Sequence, residues 1–186
     1  MKTLLSVLKL WFPLAVTITL ICGIVYIVVQ QNYRLTANDP QTQMANDAAN
    51  AVSKGTDPKT LITNPPLELS TSLSPYLIIY NETGESVASG VILNGEIPKL
   101  PSGVLAFVKN HGEDVITWQP RGGIRQAVVI RKTTGDKLYF VTAGRSLRKT
   151  EERISLLAKQ VEFGWICSLI ILFVVVWIFK ILVKFE

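Results

Sequence analysis

Two long apolar stretches enclose a middle region in which polar and apolar residues alternate. Residues 10–29 are 20 consecutive uncharged residues, and residues 164–179 are 16 more. A hydrocarbon core about 30 Å thick needs about 20 helical residues to cross it. The pattern predicts two transmembrane helices, residues 10–30 and 163–183, with short ends at residues 1–9 and 184–186.

The charges beside these stretches predict how the chain is oriented. Lys2, Lys9, Lys180 and Lys184 flank the apolar runs. Because lysine and arginine in short flanks stay in the cytoplasm, we expect both termini to be cytoplasmic and the middle region to be extracytoplasmic, in the cell (inner, cytoplasmic) membrane. A cleaved signal peptide is the alternative for the first stretch. Its apolar run is longer than that of a signal peptide, and no convincing small-residue cleavage pair follows.

Small residues recur four apart in both predicted spans, which lets helix backbones approach closely in lipid. The residues are Ala15, Thr19, Gly23, Gly164 and Ser168. The same spacing also arises by chance, so a packing face and a neutral pattern both remain open. Cys22 and Cys167 lie inside the spans, where we expect small packing residues.

The middle region changes from a helical pattern to a strand pattern. A helix is predicted to begin at Asn38-Asp-Pro40, with a capping side chain followed by proline at the first helical position. Between that start and Gly55, apolar residues are spaced three and four apart. Short helices are predicted from Asp57-Pro58 and from Ser102, which we expect to cap the second of them. Strands are predicted at residues 76–80, 86–92, 115–119, 124–131 and 137–143. The simplest fold that accommodates these elements is α+β, an antiparallel sheet of about five strands with helices on one side.

A helix at residues 146–162 leaves this domain, which we place at residues 31–145. Its apolar stripe follows the 3-4-3-4 spacing of a coiled-coil seam. The stripe is Leu147, Thr150, Ile154, Leu157 and Val161. We expect this seam to pair two copies of the chain, so the protein is predicted to be a homodimer. The alternative is a helix that packs back on its own sheet.

Nothing in the sequence forms a catalytic constellation. The single histidine, His111, stands at a predicted helix end, and the GxSxG, HExxH and CxxC patterns do not occur. The middle region has no cysteine, which excludes a disulfide framework or thiolate metal site there. We therefore expect no enzyme activity, no metal and no cofactor.

Nucleic acid is not an expected partner, although the net charge is +5. Residues 31–163 contain 15 Lys and Arg against 13 Asp and Glu, and no basic stripe with interleaved aromatic residues. The candidate ligand-binding residues are Trp118, Arg121, Arg125 and Tyr139. The arginines can hold a carboxylate with a planar fork. The alternative is that both aromatic residues belong to the core and both arginines are solvated.

Several segments resemble the extracytoplasmic sensor domains of bacterial membrane sensor histidine kinases. These segments are YLIIYNETG from Tyr76, TWQP from Thr117 with GIR from Gly123, AGRSLRKTEER from Ala143, and NDP from Asn38. The resemblance implies a PAS-like domain of the single Cache (PDC) type. Since the chain stops at Glu186, we expect no HAMP linker and no kinase domain in it.

Two functions fit these expectations. The first is a membrane-anchored sensor or ligand-binding module, dimeric, which passes a signal through its exit helix to a separate membrane signalling or transport partner. The second is a structural or accessory subunit that uses the same fold as a docking surface in a membrane complex. A sensor needs a concave site with convergent polar groups, whereas a scaffold needs an exposed apolar patch.

Overall fold

The structure is a computed structural model that describes residues 2–135 and 137–183, with side chains from residue 4 onward. Asp136 of the predicted turn, Lys184 and the predicted tail at residues 184–186 lie outside the described residues. The chain divides into two compact units. We call residues 34–151 the sheet domain, and the described residues up to 33 together with those from 152 onward the two-helix unit.

The elements follow one another as helices around a run of strands. The helices are α1 (Lys2–Thr36), α2 (Asp39–Ser53), α3 (Ser102–His111) and α4 (Arg148–Leu182), with a 3₁₀ turn at Pro58–Leu61. The strands are β1 (Leu67–Glu68), β2 (Tyr76–Asn81), β3 (Ser86–Ser89), β4 (Val91–Ile92), β5 (Glu113–Arg121), β6 (Ile124–Lys132) and β7 (Tyr139–Ser146).

An antiparallel five-stranded sheet forms the centre of the sheet domain, in the order β3-β2-β7-β6-β5. This confirms the predicted α+β class and strand number. The predicted strand at residues 86–92 is divided into β3 and β4 at Gly90. Strand β4 pairs in parallel with β1, which the sequence pattern did not predict.

Helices cover both faces of this sheet, so the expectation of helices on one side is wrong. Helix α2 lays Ala45 on Val129 of β6. Helix α3 lays Val108 on the opposite face, in one cluster with Val128 of β6. The reason is in β6 itself, where five consecutive residues from Gln126 to Ile130 are buried. A strand that is apolar on both sides needs cover on both sides.

The two predicted side-chain caps are not formed, although the helix ends are confirmed. At the Asn38-Asp39-Pro40 start, Asp39 is already the first residue of α2, and the side chain of Asn38, with φ −94° and ψ −17°, makes no capping hydrogen bond. Ser102 is the first residue of α3 after Pro101, and no side-chain cap forms there. Gly55 and Gly112, the predicted stops, have φ of +95° and +91°, a region that favours glycine.

A close contact at the centre of the sheet shows how tightly the α3 face is packed. Tyr76 of β2 stands directly opposite Gly144 of β7. A Cβ atom built on Gly144 would lie 2.3 Å from the Tyr76 ring and hydroxyl, so only glycine leaves room for this ring. Tyr76, Ile78 and Tyr80 share that face with Phe140 and form the main core.

Helices α1 and α4 are each long and apolar enough to cross a membrane, and the sheet domain lies between them in the chain. Each contains 35 residues. Their large apolar side chains are mostly exposed in the single chain, as Phe12 and Phe163 show. Pro13 lies inside α1, whereas α4 contains no proline.

Candidate ligand cleft in the sheet domain

A cleft of about 770 Å³ opens where α2 ends and β7 begins. Its walls are the last residues of α2, the loop that follows, and the turn between β6 and β7. The polar side chains along it are Ser53, Lys54, Asp57, Lys137 and Tyr139. The volume lies within the range of about 300–1,000 Å³ that is usual for small-molecule sites.

Local contacts hold the two walls at this separation. The Ser53 hydroxyl accepts a hydrogen bond of 3.1 Å from the Thr134 backbone N–H. A Cβ atom on Gly135 would lie 3.2 Å from the Ser53 carbonyl oxygen, so a glycine suits this close approach. On the α2 side, the Asp57 carboxylate accepts a 3.0 Å hydrogen bond from the Lys59 N–H and starts the 3₁₀ turn.

Tyr139 is held in place by the same turn. Its backbone N–H donates a 2.9 Å hydrogen bond to the Thr133 hydroxyl, and its carbonyl accepts one of 3.0 Å from the Thr133 N–H. Tyr139 also packs partly against the α2-face cluster that contains Val52 and Val141. Its phenol is therefore a half-buried, positioned group in the wall of the cleft.

The described lining residues of the cleft carry charges of both signs. Lys54 and Lys137 contribute two ammonium groups among the described lining residues, against the single carboxylate of Asp57. One oxygen of that carboxylate already accepts the Lys59 N–H. Lys137 and Tyr139 also line a second concavity of about 320 Å³ beside Asn81, so both residues border two openings.

Of the four predicted ligand residues, only Tyr139 lines this cleft. Trp118 lies in the core on the α3 face of β5, whereas Tyr139 lies on the α2 face of β7. Arg121 is exposed at the end of β5, and Arg125 forms an ion pair with Glu151. The structure therefore does not bring the four together. A ligand role for each remains a prediction.

Sequence reasoning missed Ser53, Lys54 and Lys137. The sequence marked the neighbouring Gly55 and the 133–136 segment as a helix stop and a turn. Ser53 and Thr134 are 81 residues apart, so their contact depends on α2 packing across the sheet. Nothing in the spacing of either segment signals that contact.

Buried polar groups lie on the α3 face of the sheet, around Gly144. The Tyr76 hydroxyl, the Gln126 amide and the Thr142 hydroxyl have no hydrogen-bond partner within the described chain. Burial raises the pKa of Tyr76, and the nearby Tyr80 raises it further. Burial also raises the pKa of Tyr80, which a backbone hydrogen bond at Leu100 partly offsets. Both phenols therefore stay neutral at ordinary pH.

The first turn of α4 is tied to the sheet domain by side chains and backbone. The Leu147 N–H donates a 2.9 Å hydrogen bond to the Arg125 carbonyl, and the Arg125 guanidinium pairs with Glu151. The Arg148 guanidinium donates to the Thr71 carbonyl at 3.1 Å. Strand β7 thus begins in the cleft at Tyr139 and ends two residues before α4.

The predicted seam is half-buried in a single chain. This holds at every position of the stripe, Leu147, Thr150, Ile154, Leu157 and Val161. Ser155 and Lys159, beside the stripe, are exposed. Val161 lines a groove together with residues of α1. Pairing between two copies along the stripe remains a prediction.

The predicted small-residue positions have different surroundings in the two-helix unit. Ala15 is buried, and the Thr19 hydroxyl accepts a 2.9 Å hydrogen bond from the Trp165 indole. A Cβ atom on Gly23 or Gly164 would meet no other atom within 4 Å. The Ser168 hydroxyl donates to the carbonyl one turn earlier at 2.7 Å. Close backbone approach at the two glycines is therefore not seen within one chain.

No family model and no curated protein matches the chain. Within residues 2–135 and 137–183, no three His, Cys, Asp or Glu side chains come together as a metal site would require.

Proposed function

We propose that this protein is a membrane-anchored sensor whose sheet domain binds a small anion in the cleft beside Tyr139. The observation that carries the proposal is the cleft itself, with its ligand-sized volume and its lining by Lys54, Lys137 and Tyr139. Convergent polar groups in a concave site are the usual form of a binding site for small molecules.

The connection from the cleft through β7 to α4 also supports a sensor function. Strand β7 pairs with both β2 and β6, so it is a central strand that starts at the cleft. Two residues after its end, α4 begins and runs for 35 residues without proline. A shift of β7 caused by a ligand would act on the first turn of α4, which is bonded to Arg125 and Thr71.

In this proposal the sheet domain is an extracytoplasmic PAS-like domain of the Cache type, in a bacterial cell membrane. Both termini are cytoplasmic, and the signal passes through α4 to a separate membrane partner. The flanking lysines support the orientation, and the strand number and order of elements agree with the domain type. The chain acts as a homodimer through the α4 stripe.

The proposal is tested by ligand binding to the full chain in uncharged detergent micelles. A panel of small carboxylates and phosphates is screened by thermal shift, and each hit is repeated with Lys137→Ala and Tyr139→Phe. We expect both substitutions to reduce the shift. Lys99→Ala is the matched control, because Lys99 is exposed and lies outside the cleft lining.

Two outcomes would overturn the proposal. One is a panel with no hit, and the other is a hit that Lys137→Ala leaves as strong as Lys99→Ala does. Either would favour the accessory-subunit function, in which the sheet domain serves as a docking surface.

A further inference from the structure

An apolar groove between α1 and α4 carries a single charged side chain. The groove has a volume of about 330 Å³ and belongs wholly to the two-helix unit. Cys22, Gly23 and Tyr26 line it from α1, and Glu162 and Trp165 line it from α4. Among the described lining residues, Glu162 is the only Asp, Glu, Lys or Arg.

Glu162 lies beside the start of the apolar stretch of α4. Its side chain is exposed, and the uncharged run of α4 begins two residues later, at Gly164. If α4 spans the membrane from that point, the carboxylate lies at the headgroup end of the groove, where the cationic heads of amphiphiles also lie.

No basic residue of the described chain neutralises Glu162. The ion pairs at Glu82, Glu113 and Glu151 do not include Glu162. Lys159 is three residues away on α4, but it is exposed and does not line the groove. The exposed Glu162 carboxylate is therefore open to a cation that enters the groove.

Two polar side chains of the wall, those of Trp165 and Thr19, are hydrogen-bonded within the two-helix unit. The Trp165 indole N–H donates to the Thr19 hydroxyl at 2.9 Å, and that hydroxyl donates to the Ala15 carbonyl at 2.8 Å. These bonds hold the Trp165 ring in the wall. A Cβ atom on Gly23 would meet nothing within 4 Å, so the groove is open there.

We propose that this groove binds a lipophilic ammonium ion, a cationic head on an alkyl chain. The Glu162 carboxylate neutralises the head, and the rings of Tyr26 and Trp165 attract it through their π faces. The apolar remainder of the wall, including Val161, covers the chain. The proposal depends on α1 lying in lipid but not on a ligand in the sheet-domain cleft.

Isothermal titration of the full chain with dodecyltrimethylammonium, in dodecyl maltoside micelles, tests the site, with empty micelles as the baseline. We expect saturable binding that Glu162→Gln weakens by about two- to fivefold, since Glu162 is exposed and solvent partly screens its ion pair with the ligand. Glu152→Gln is the matched control, which removes one carboxylate from α4 outside the groove lining.

A second variant tests the groove by shape instead of charge. Gly23→Leu places a side chain in the open space and should also weaken binding, whereas Gly164→Ala should not. Dodecyl sulfate, with the same alkyl chain and the opposite charge, should not bind.

Two results would overturn the proposal. They are equal binding by Glu162→Gln and Glu152→Gln, and saturable binding of dodecyl sulfate. Displacement of the ammonium by added phosphatidylethanolamine would support the proposal and identify a membrane lipid as a source of the ammonium head. If no small anion gives a thermal shift while dodecyltrimethylammonium still binds, only the proposed sensor function is contradicted.

Discussion

The sheet domain buries its large apolar side chains, whereas the two-helix unit leaves side chains of the same types exposed within one chain. In the sheet domain Phe140 is 1% exposed, and in the two-helix unit Phe163 is 71% exposed. A monomeric soluble protein rarely exposes a large contiguous apolar surface. The contrast shows that the sheet domain covers its own apolar side chains, whereas the two-helix unit leaves many of its apolar side chains uncovered within one chain.

The two regions also differ in what holds their parts in place. Ring packing without gaps fixes the sheet domain, as the contact between Tyr76 and Gly144 shows. The two-helix unit is joined at separated polar points, where Trp11 donates to the Leu169 carbonyl at 3.2 Å and Trp165 donates to Thr19. We therefore expect substitutions of equal size to have unequal effects in the two regions.

The largest expected effect comes from adding one methyl group to each region. Gly144→Ala should lower the free energy of unfolding of the sheet domain by about 3 kcal/mol, because the new Cβ atom overlaps the buried Tyr76 ring. Gly164→Ala is the matched substitution in the two-helix unit. Its new methyl group meets no atom within 4 Å, so the urea midpoint of unfolding should stay at that of the unchanged protein. Urea unfolding of the full chain in micelles, followed by near-ultraviolet circular dichroism, measures both. Equal urea midpoints for the two variants would contradict the expected difference in packing between the two regions.

High pH should act on the sheet domain next. Since burial raises the folded pKa of Tyr76 and Tyr80 above the ordinary value of about 10, the unfolded state loses these protons first. Stability is intact below pH 10 and falls as pH rises above it, by about 1.4 kcal/mol per pH unit for each tyrosine. Unfolding at pH 9 to 11 measures the slope. A double Tyr76→Phe, Tyr80→Phe variant with an unchanged slope would contradict this origin.

The smallest expected effect separates the two tyrosines from each other. The Tyr80 hydroxyl donates a buried 2.9 Å hydrogen bond to the Pro98 carbonyl, whereas the Tyr76 hydroxyl has no partner in the described chain. Tyr80→Phe should cost about 1–2 kcal/mol, because the carbonyl is left unpaired. Tyr76→Phe should be neutral or stabilising. Thermal unfolding of the two variants side by side checks this, and an equal loss would mean that Tyr76 has a partner.

The strands were largely predictable because their residues carry a local signal. The apolar run at residues 76–80 became β2, and the run at 124–131 became β6 with one residue added. Glycine stops at Gly55 and Gly112 were equally readable, since a positive φ is a property of one residue. What failed was the number of covered faces, although the continuous apolar run of β6 contained that information.

The cleft could not be predicted, because its residues meet only through tertiary packing. Lys54 directly follows α2, and Lys137 follows a turn, so neither lysine carries a sequence signal of a shared site. Tyr139 was chosen for its amphipathic ring. The same reasoning chose Trp118, which lies in the core. The sequence did not show that Trp118 and Tyr139 lie on opposite faces of the sheet.

The uninterrupted course of α4 has a mechanical consequence that α1 does not share. The 35 residues of α4 contain no proline, so no backbone N–H inside the helix is removed and α4 has no proline hinge. In α1, Pro13 has no N–H to donate to the Lys9 carbonyl, so that helix has a built-in site for bending one-third of the way along it.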